Sequence, residues 1–563
     1  MPLSPGTLLD ADARRKLAGL PGLGGGNVWH TAARLSPWPD LPAVVADRPL
    51  VNADGELQSE FSLRQLDELS RVWSAWYLDQ GVRPRDRVAV YLSDSFEDQL
   101  HLAALAQIGA IALVINGRME ADTALRLMAR TGPVGLYTDE THRGALAGRE
   151  RTAGVRWTRT RADAAVLGHC TLPDAARFHH APDDPVMLCH SSGTTGDPKP
   201  VIHAHWQSVA GVCHRLTGHA EPPTSVLLSA APHSHAGATA FTFYALLAGL
   251  PLIAVDDPSG PGVARAVRTH RPTTVLAFNQ THSALATMEL DPADFASVAY
   301  WINMGDAAHD AHIRRLIRLG HHRVDGELVA GSGFGDGLGS SELGWAALRR
   351  TITAQTPPSP RLLGRPEECA EVVVLREDGA AAAPGEVGML GVRSETVAPG
   401  YWNDHDTNYR SRLAGYWLSG DLAYRTADGD FYHADRIVDA IHTPGGTGYS
   451  VLMEETLLLQ LPEVADCAVV AGGAGGVTLP VALVRLRGEA DPGDLLRRAN
   501  KALADIGQPP LALLETARDA SDIPVGSTGK VLKRLLRERY GDLRGHIETH
   551  PTGVAAELPV PHS

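Results

Sequence analysis

The 563-residue chain is too long for one hydrophobic core, so two or more domains are expected. Its composition, 44% apolar and 21% charged, is that of a globular protein, and a net charge of -14 argues against a nucleic-acid binder. No apolar run of about 18 residues occurs, which excludes a transmembrane helix, and the N-terminus has no apolar stretch behind a basic start, so a cytoplasmic chain is expected.

In chain order, SLRQLDELSRVWSAWYLDQG has helical periodicity and ends at Gly81. RVAVYL reads as a strand, FEDQLHLAALAQIGA as a helix and IALVIN as the next strand. This alternation predicts a layered α/β fold with a largely parallel sheet, and it recurs over residues 225–290. Around 366–400 the pattern changes to short strands with Gly turns, AEVVVL and GEVGMLGV, which predict a small β-subdomain. A smaller α+β unit starts near 436, with DCAVVAG and LPVALVRL as strands and PGDLLRRANKALADIG as a helix. The expected division is 1–435, 436–545 and a disordered tail, 546–563. The five cysteines (170, 189, 213, 369, 467) form no CxxC pair and suit reduced, mostly buried thiols, and no HExxH occurs among the 25 histidines.

The chemistry concentrates at HSSGTTGDPK, residues 190–199, between the apolar run VMLC and a helix-like segment. Gly193 and Gly196 permit backbone angles closed to other residues. Backbone N–H groups and the hydroxyls of Ser191, Ser192, Thr194 and Thr195 suit phosphate oxygens, and Lys199 adds charge. The same residue types favour plain solvent turns, so the stretch alone does not decide. It is not a Walker A loop, because its Lys follows Pro198; GSTGK at 526–530 also fails, with Pro524 at the first Gly position. Further on come PHSHAG at 232–237, NMGDAA at 303–308, GLGSSE at 337–342, GYWND at 400–404, WLSGD at 417–421, DRIVDAI at 435–441 and GSTGKVLKRLLRE ending at 538.

In this order the motifs resemble the adenylate-forming superfamily: acyl- and aryl-CoA synthetases, nonribosomal-peptide adenylation domains and firefly luciferase. The match runs from about residue 60 to 540 and is closest to stand-alone acyl-CoA synthetase-like enzymes. The resemblance implies that Ser191 to Lys199 cover the β- and γ-phosphates of ATP and that Glu342 holds Mg²⁺. It places Asp336 and Gly337 at adenine, across from Gly305 and Ala307, counts Leu338 and Ser341 among the ATP-binding positions, and puts Asp421 at the ribose and Arg436 near the ribose and α-phosphate. His235 matches the motif beside the acid pocket, whose lining would include Phe241, Trp301, Asn303, Gly335, Leu338, Gly339 and Gly344; Trp301 and Phe241 are expected to enclose the substrate. Lys530 matches the lysine of a mobile small domain, where it would offset charge at the α-phosphate.

Several positions depart from the pattern. Pro200 stands where most members have Gly, Leu338 replaces the aromatic that stacks on adenine, Ser341 replaces a Thr, and Ser419 replaces the Thr of TGD. Val438 occupies the hinge pivot, and HTPGGTGYSVLMEE replaces a shorter segment that helps form the thiol tunnel, with Met453 at its Pro position. Adenylation therefore looks intact while the second half-reaction is less secure. The first expectation is activation of an aryl or acyl carboxylate and its transfer to CoA. The alternative keeps ATP activation and changes the acceptor to a carrier protein, or the acid to nitrite, as in ATP-dependent diazotases that resemble CoA ligases and act on aryl amines. A non-catalytic nucleotide-binding relative is disfavoured because Lys530, Glu342 and Asp421 are all present.

Overall fold

The computed structural model describes residues 11–556 apart from 165–170, 192–197, 306–307, 309, 325, 360, 520–521, 526–530 and 550–552. Contacts divide the chain into two compact units, one of residues 1–193, 197–372 and 392–417, the other chiefly 373–391 and 418–563.

The larger unit holds two sheets. One runs Trp157–Arg159, Gly135–Thr138, Arg87–Tyr91, Ile111–Ile115, Pro185–His190 and Pro200–Ala204, parallel until its last, antiparallel pair. Ile111–Ile115 is buried at every position, as an unbroken apolar run in a covered parallel sheet should be. Helix Leu63–Asp79 begins with a capping box between Ser62 and Gln65 and buries Leu66, Leu69, Val72, Trp73 and Tyr77. Gly81 follows at φ 83°, so the chain turns where the periodicity ends.

In the second sheet, Pro42–Val51 pairs antiparallel with Leu57–Ser62 and parallel with Leu252–Ala254. Leu227–Ser229, Thr274–Phe278, Tyr300–Met304 and Gly333–Leu338 continue in parallel, and Leu348–Ile352 and Leu362–Pro366 turn back antiparallel. The predicted α/β alternation is therefore present, with strands and helices where the apolar runs place them. The carboxyl ends of Pro185–His190, Tyr300–Met304 and Gly333–Leu338 carry or precede the motifs, where open parallel sheets bind ligands.

In the second unit, strand Tyr416–Arg425 enters at Leu418 and pairs antiparallel with Phe431–Arg436. Beyond it, Val464–Ala474, Val477–Leu486 and Leu513–Thr516 form a sheet covered by helices Ser450–Gln460 and Pro492–Asp505. The expected disordered tail is corrected over its described part. Helix Leu543–Thr549 continues past 546, and Gly553–Ala555 pairs with Leu513–Glu515, with Val554 packed on the core. Ladder bonds and a half-buried valine hold a segment whose polar composition reads as a loose end.

Candidate active site

Strand Pro185–His190 delivers the chain to Ser191, and Pro200–Ala204 carries it away, antiparallel. The neck between them is closed by two bonds: Ser191 N–H donates to the Lys199 carbonyl at 3.0 Å, and Lys199 N–H to Ser191 Oγ at 3.1 Å. Ser192, Gly193, Thr194, Thr195 and Gly196 lie outside the described residues.

Lys199 Nζ sits 5.2 Å from the centre of the Tyr401 ring. The Tyr401 hydroxyl donates to Glu342 Oε1 at 3.0 Å. Burial, and then the Glu342 charge, push this phenol well above its usual pKa, so it stays a donor. Lys199, Tyr401 and Glu342 thus form one chain of contacts across three separate motifs. Cys189 lies behind them with its thiol pushed up to about 12 by burial and by Glu342, too high for a thiolate nucleophile.

Asp336, on strand Gly333–Leu338, is buried; its Oδ1 accepts from Asn303 Nδ2 and its Oδ2 from Arg350, each at 2.9 Å. Gly337 has no room for a side chain, since a Cβ there would meet the Leu348 carbonyl at 2.1 Å. Gly305 turns at φ 87° against the Phe278 ring, and Gly344 at φ 68° against the Thr396 carbonyl. Gly335 lies against Tyr300, and Gly339 against the backbone of Ala346. Ser341 is buried, while Ala307 lies outside the described residues.

His235 caps helix Ala236–Ala248: its Nδ1 accepts from the Gly237 N–H at 3.1 Å. A neutral ring there carries its proton on Nε2, so it acts first as a donor. Phe241, on the same helix, stacks on Trp345 with ring centres 5.3 Å apart, and Leu338, Met304 and Ile302 pack against the same core. Trp345 in turn lies on Gly211 of helix Gln207–Gly218, where a Cβ would stand 2.5 Å from the ring.

Trp301 packs in a different core cluster from Phe241 and Trp345. Its ring is fully buried, donates through Nε1 to Ser332 Oγ at 2.8 Å, and packs on Phe295 and His282. The expected Trp301–Phe241 enclosure is corrected to Phe241–Trp345, because helix Asn279–Thr287, through His282, covers the early part of strand Tyr300–Met304.

The second unit holds Asp421 and Arg436 opposite each other in its hairpin. Arg436 Nε lies 3.2 Å and His433 Nε2 3.3 Å from Asp421 Oδ1. Burial raises the carboxyl, but His433 and Arg436 outweigh it and hold Asp421 at about 2. Val438 is exposed, and Met453, at the expected tunnel segment, is fully buried in the core. Lys530 lies outside the described residues.

For a divalent cation, no group of three or more His, Cys, Asp and Glu is placed to hold one among the described residues. Glu342 alone fits Mg²⁺, which takes one or two carboxylates together with phosphate oxygens and water. No helix of the described residues is long and apolar enough to cross a membrane.

Tyr401, Trp345 and Arg350 were not legible as site residues. GYWND marks Tyr401 only as part of a motif, and Trp345 stands three residues beyond Glu342 with no periodicity to orient it.

The pattern of the AMP-binding enzyme family matches residues 31–402. The chain is 38% identical to a 3-aminoavenalumate diazotase of Streptomyces sp, over 96% of this chain and all of that protein. It is 30% identical to a 3-amino-2-hydroxy-4-methoxybenzoate diazotase of Streptomyces cremeus, over 90% of this chain and 94% of the relative. Among solved structures, the O-succinylbenzoate Coenzyme A synthetase of Bacillus subtilis in complex with ATP and magnesium ion superposes with a TM-score of 0.76 at 20% identity, covering 91% of this chain and 99% of that one. With its α/β architecture and ordered motifs, this chain belongs to the AMP-binding enzyme family, and is an adenylate-forming ligase by descent.

Proposed function

We propose that this enzyme uses ATP and Mg²⁺ to activate nitrite and passes the nitrosyl group to the amine of an aminoaryl acid, yielding a diazonium product. The observation that carries this reading is 38% identity to a diazotase over 96% of this chain and all of that protein. The exposed Val438 and the core position of Met453, where thiol-using relatives have a hinge pivot and tunnel segment, support it. So does the Phe241–Trp345 stack, a wall suited to a flat ring.

In this reaction an oxygen of nitrite attacks the α-phosphorus, and the bond to pyrophosphate breaks. The aryl amine nitrogen then attacks the nitroso nitrogen, the N–O bond to AMP breaks, and the amine gives up a proton. The second N–H proton moves to the nitroso oxygen, and protonation of that hydroxyl releases water and leaves the diazonium.

The residues take the roles their motifs suggest. Ser191, residues 192–196 and Lys199 cradle the β- and γ-phosphates. Asp336, Gly337, Leu338 and Ser341, with Gly305 and Ala307, border adenine; Asp421 and Arg436 take the ribose and α-phosphate side. Glu342, oriented by Tyr401, would hold Mg²⁺, which supplies charge neutralisation at the phosphates. Asn303, Gly335, Gly339 and Gly344 shape the pocket with Phe241, and His235 donates from Nε2. Residues 436–545 act as the moving lid that brings Lys530 to the α-phosphate.

The test measures pyrophosphate release with nitrite and a panel of aminoaryl acids, with and without CoA, and traps diazonium by azo coupling. Release that needs both nitrite and amine, with azo dye formed and no effect of CoA, is expected. Release driven by a carboxylic acid alone and accelerated by CoA would establish the thiol-transfer reading instead; CoA-independent release with a carboxylic acid would point to a carrier protein.

A further inference from the structure

We propose that His190 is a positioning residue that latches the phosphate loop to the neighbouring strand and so sets affinity for the β- and γ-phosphates of ATP. The proposal rests on the phosphate-loop reading above.

Strands Ile111–Ile115 and Pro185–His190 run side by side in parallel and end together. His190 joins those two ends. The backbone N–H of Asn116, just past the first strand, donates to His190 Nε2 at 3.1 Å. A backbone N–H can only donate, so Nε2 carries no proton and the neutral ring has its hydrogen on Nδ1. Nδ1 lies 3.2 Å from the Ser191 carbonyl and donates to it. Ser191 is the residue whose N–H and Oγ close the neck onto Lys199. One ring therefore ties the first residue of the loop to a second strand, with its tautomer fixed from one side and its donor used on the other.

The turn that supplies the Asn116 N–H is itself held. Asn116 Oδ1 accepts from the Arg118 N–H at 2.8 Å, and its carbonyl from the Met119 N–H at 2.9 Å. Burial keeps the His190 pKa below that of a free imidazole, which favours the neutral form the latch needs. A ring so held restricts the directions in which the loop's entry can swing. That restriction lowers the ordering cost of wrapping phosphate oxygens, a cost that AMP does not incur because it lacks the β- and γ-phosphates.

The experiment measures MgATP and AMP binding by titration calorimetry on the full chain. H190F removes both bonds and is expected to weaken MgATP about tenfold or more while AMP stays within about twofold. H190Q, whose amide can accept from one side and donate on the other, is expected to recover most of the MgATP affinity. Should H190F lose its fold, H190A carries the same expectation without added bulk. Equal weakening of both nucleotides, or unchanged MgATP binding, overturns the latch. Wild-type protein that binds neither nucleotide overturns the phosphate-loop reading, and the proposal with it.

Discussion

Tyr401 touches both charged members of the site: its ring faces Lys199 and its hydroxyl holds Glu342. A hydrogen bond to a charged acceptor contributes about 1.5–3 kcal/mol. Y401F is therefore expected to raise the Mg²⁺ concentration for half-maximal pyrophosphate release about tenfold or more, read by titrating Mg²⁺ at saturating ATP. Lys530 belongs to the same scale. If it neutralises charge at the α-phosphate, K530A lowers the adenylation rate by about 10²–10³ and leaves use of pre-formed adenylate nearly intact. The check compares pyrophosphate exchange with single-turnover consumption of adenylate, and equal loss in both contradicts the role. At this scale the sequence marked Glu342 and Lys199 through their motifs but gave Tyr401 no role. The Tyr401–Glu342 pair spans 59 positions, and no local spacing encodes it.

Among the elements, two helices set the Phe241–Trp345 stack, the proposed substrate wall. Helix Ala236–Ala248 presents Phe241, and helix Gln207–Gly218 supports Trp345 at Gly211. G211V would push the indole off its seat, and W345A would remove it. If the proposed reaction holds, both are expected to raise KM for the aminoaryl substrate about tenfold and leave KM for ATP near the wild-type value, since stacking and apolar burial of a ring contribute a few kcal/mol together. Steady-state kinetics with each substrate varied in turn checks this. Element type followed from pattern: the apolar runs became strands, chiefly parallel in the larger unit and antiparallel between Val464–Ala474 and Val477–Leu486, and the 3.6-residue periodicities became helices. Element ends and pairings did not. Gly553–Ala555 is a strand only because Leu513–Thr516 offers it an open edge.

For the molecule as a whole, the larger unit buries neutral histidines. His203, His205 and His282 are almost inaccessible, and burial lowers each to about 4. A histidine depressed in the folded state stays neutral there while the unfolded chain binds a proton. Its contribution is fully present above the unfolded pKa of about 6.5 and is lost as pH falls toward the folded value. Three such groups give a slope of roughly 4 kcal/mol per pH unit near pH 5. Denaturant midpoints at pH 7, 6 and 5 are expected to fall progressively, and conversion of His282 to a neutral residue of similar size that still folds should flatten the decline. A flat wild-type profile would contradict the burial of these rings as neutral groups.

The sequence by itself determined the fold class and the order of motifs, and it supplied the residues proposed for the nucleotide side of the site. Those properties rest on short-range patterns: unbroken apolar runs, helical periodicity and hydroxyl- and glycine-rich turns. Tertiary structure alone decided which aromatics stack together and which polar groups bond to Glu342 and Asp336. Trp301 and Trp345 are equivalent as letters, yet a covering helix buries the first while the second stacks on Phe241. Likewise His190 reads as one more scattered histidine until the parallel strand beside it supplies the Asn116 N–H. A side chain's role at these positions depends on what packs against it from distant parts of the chain, and that packing is settled only when the whole sheet has formed.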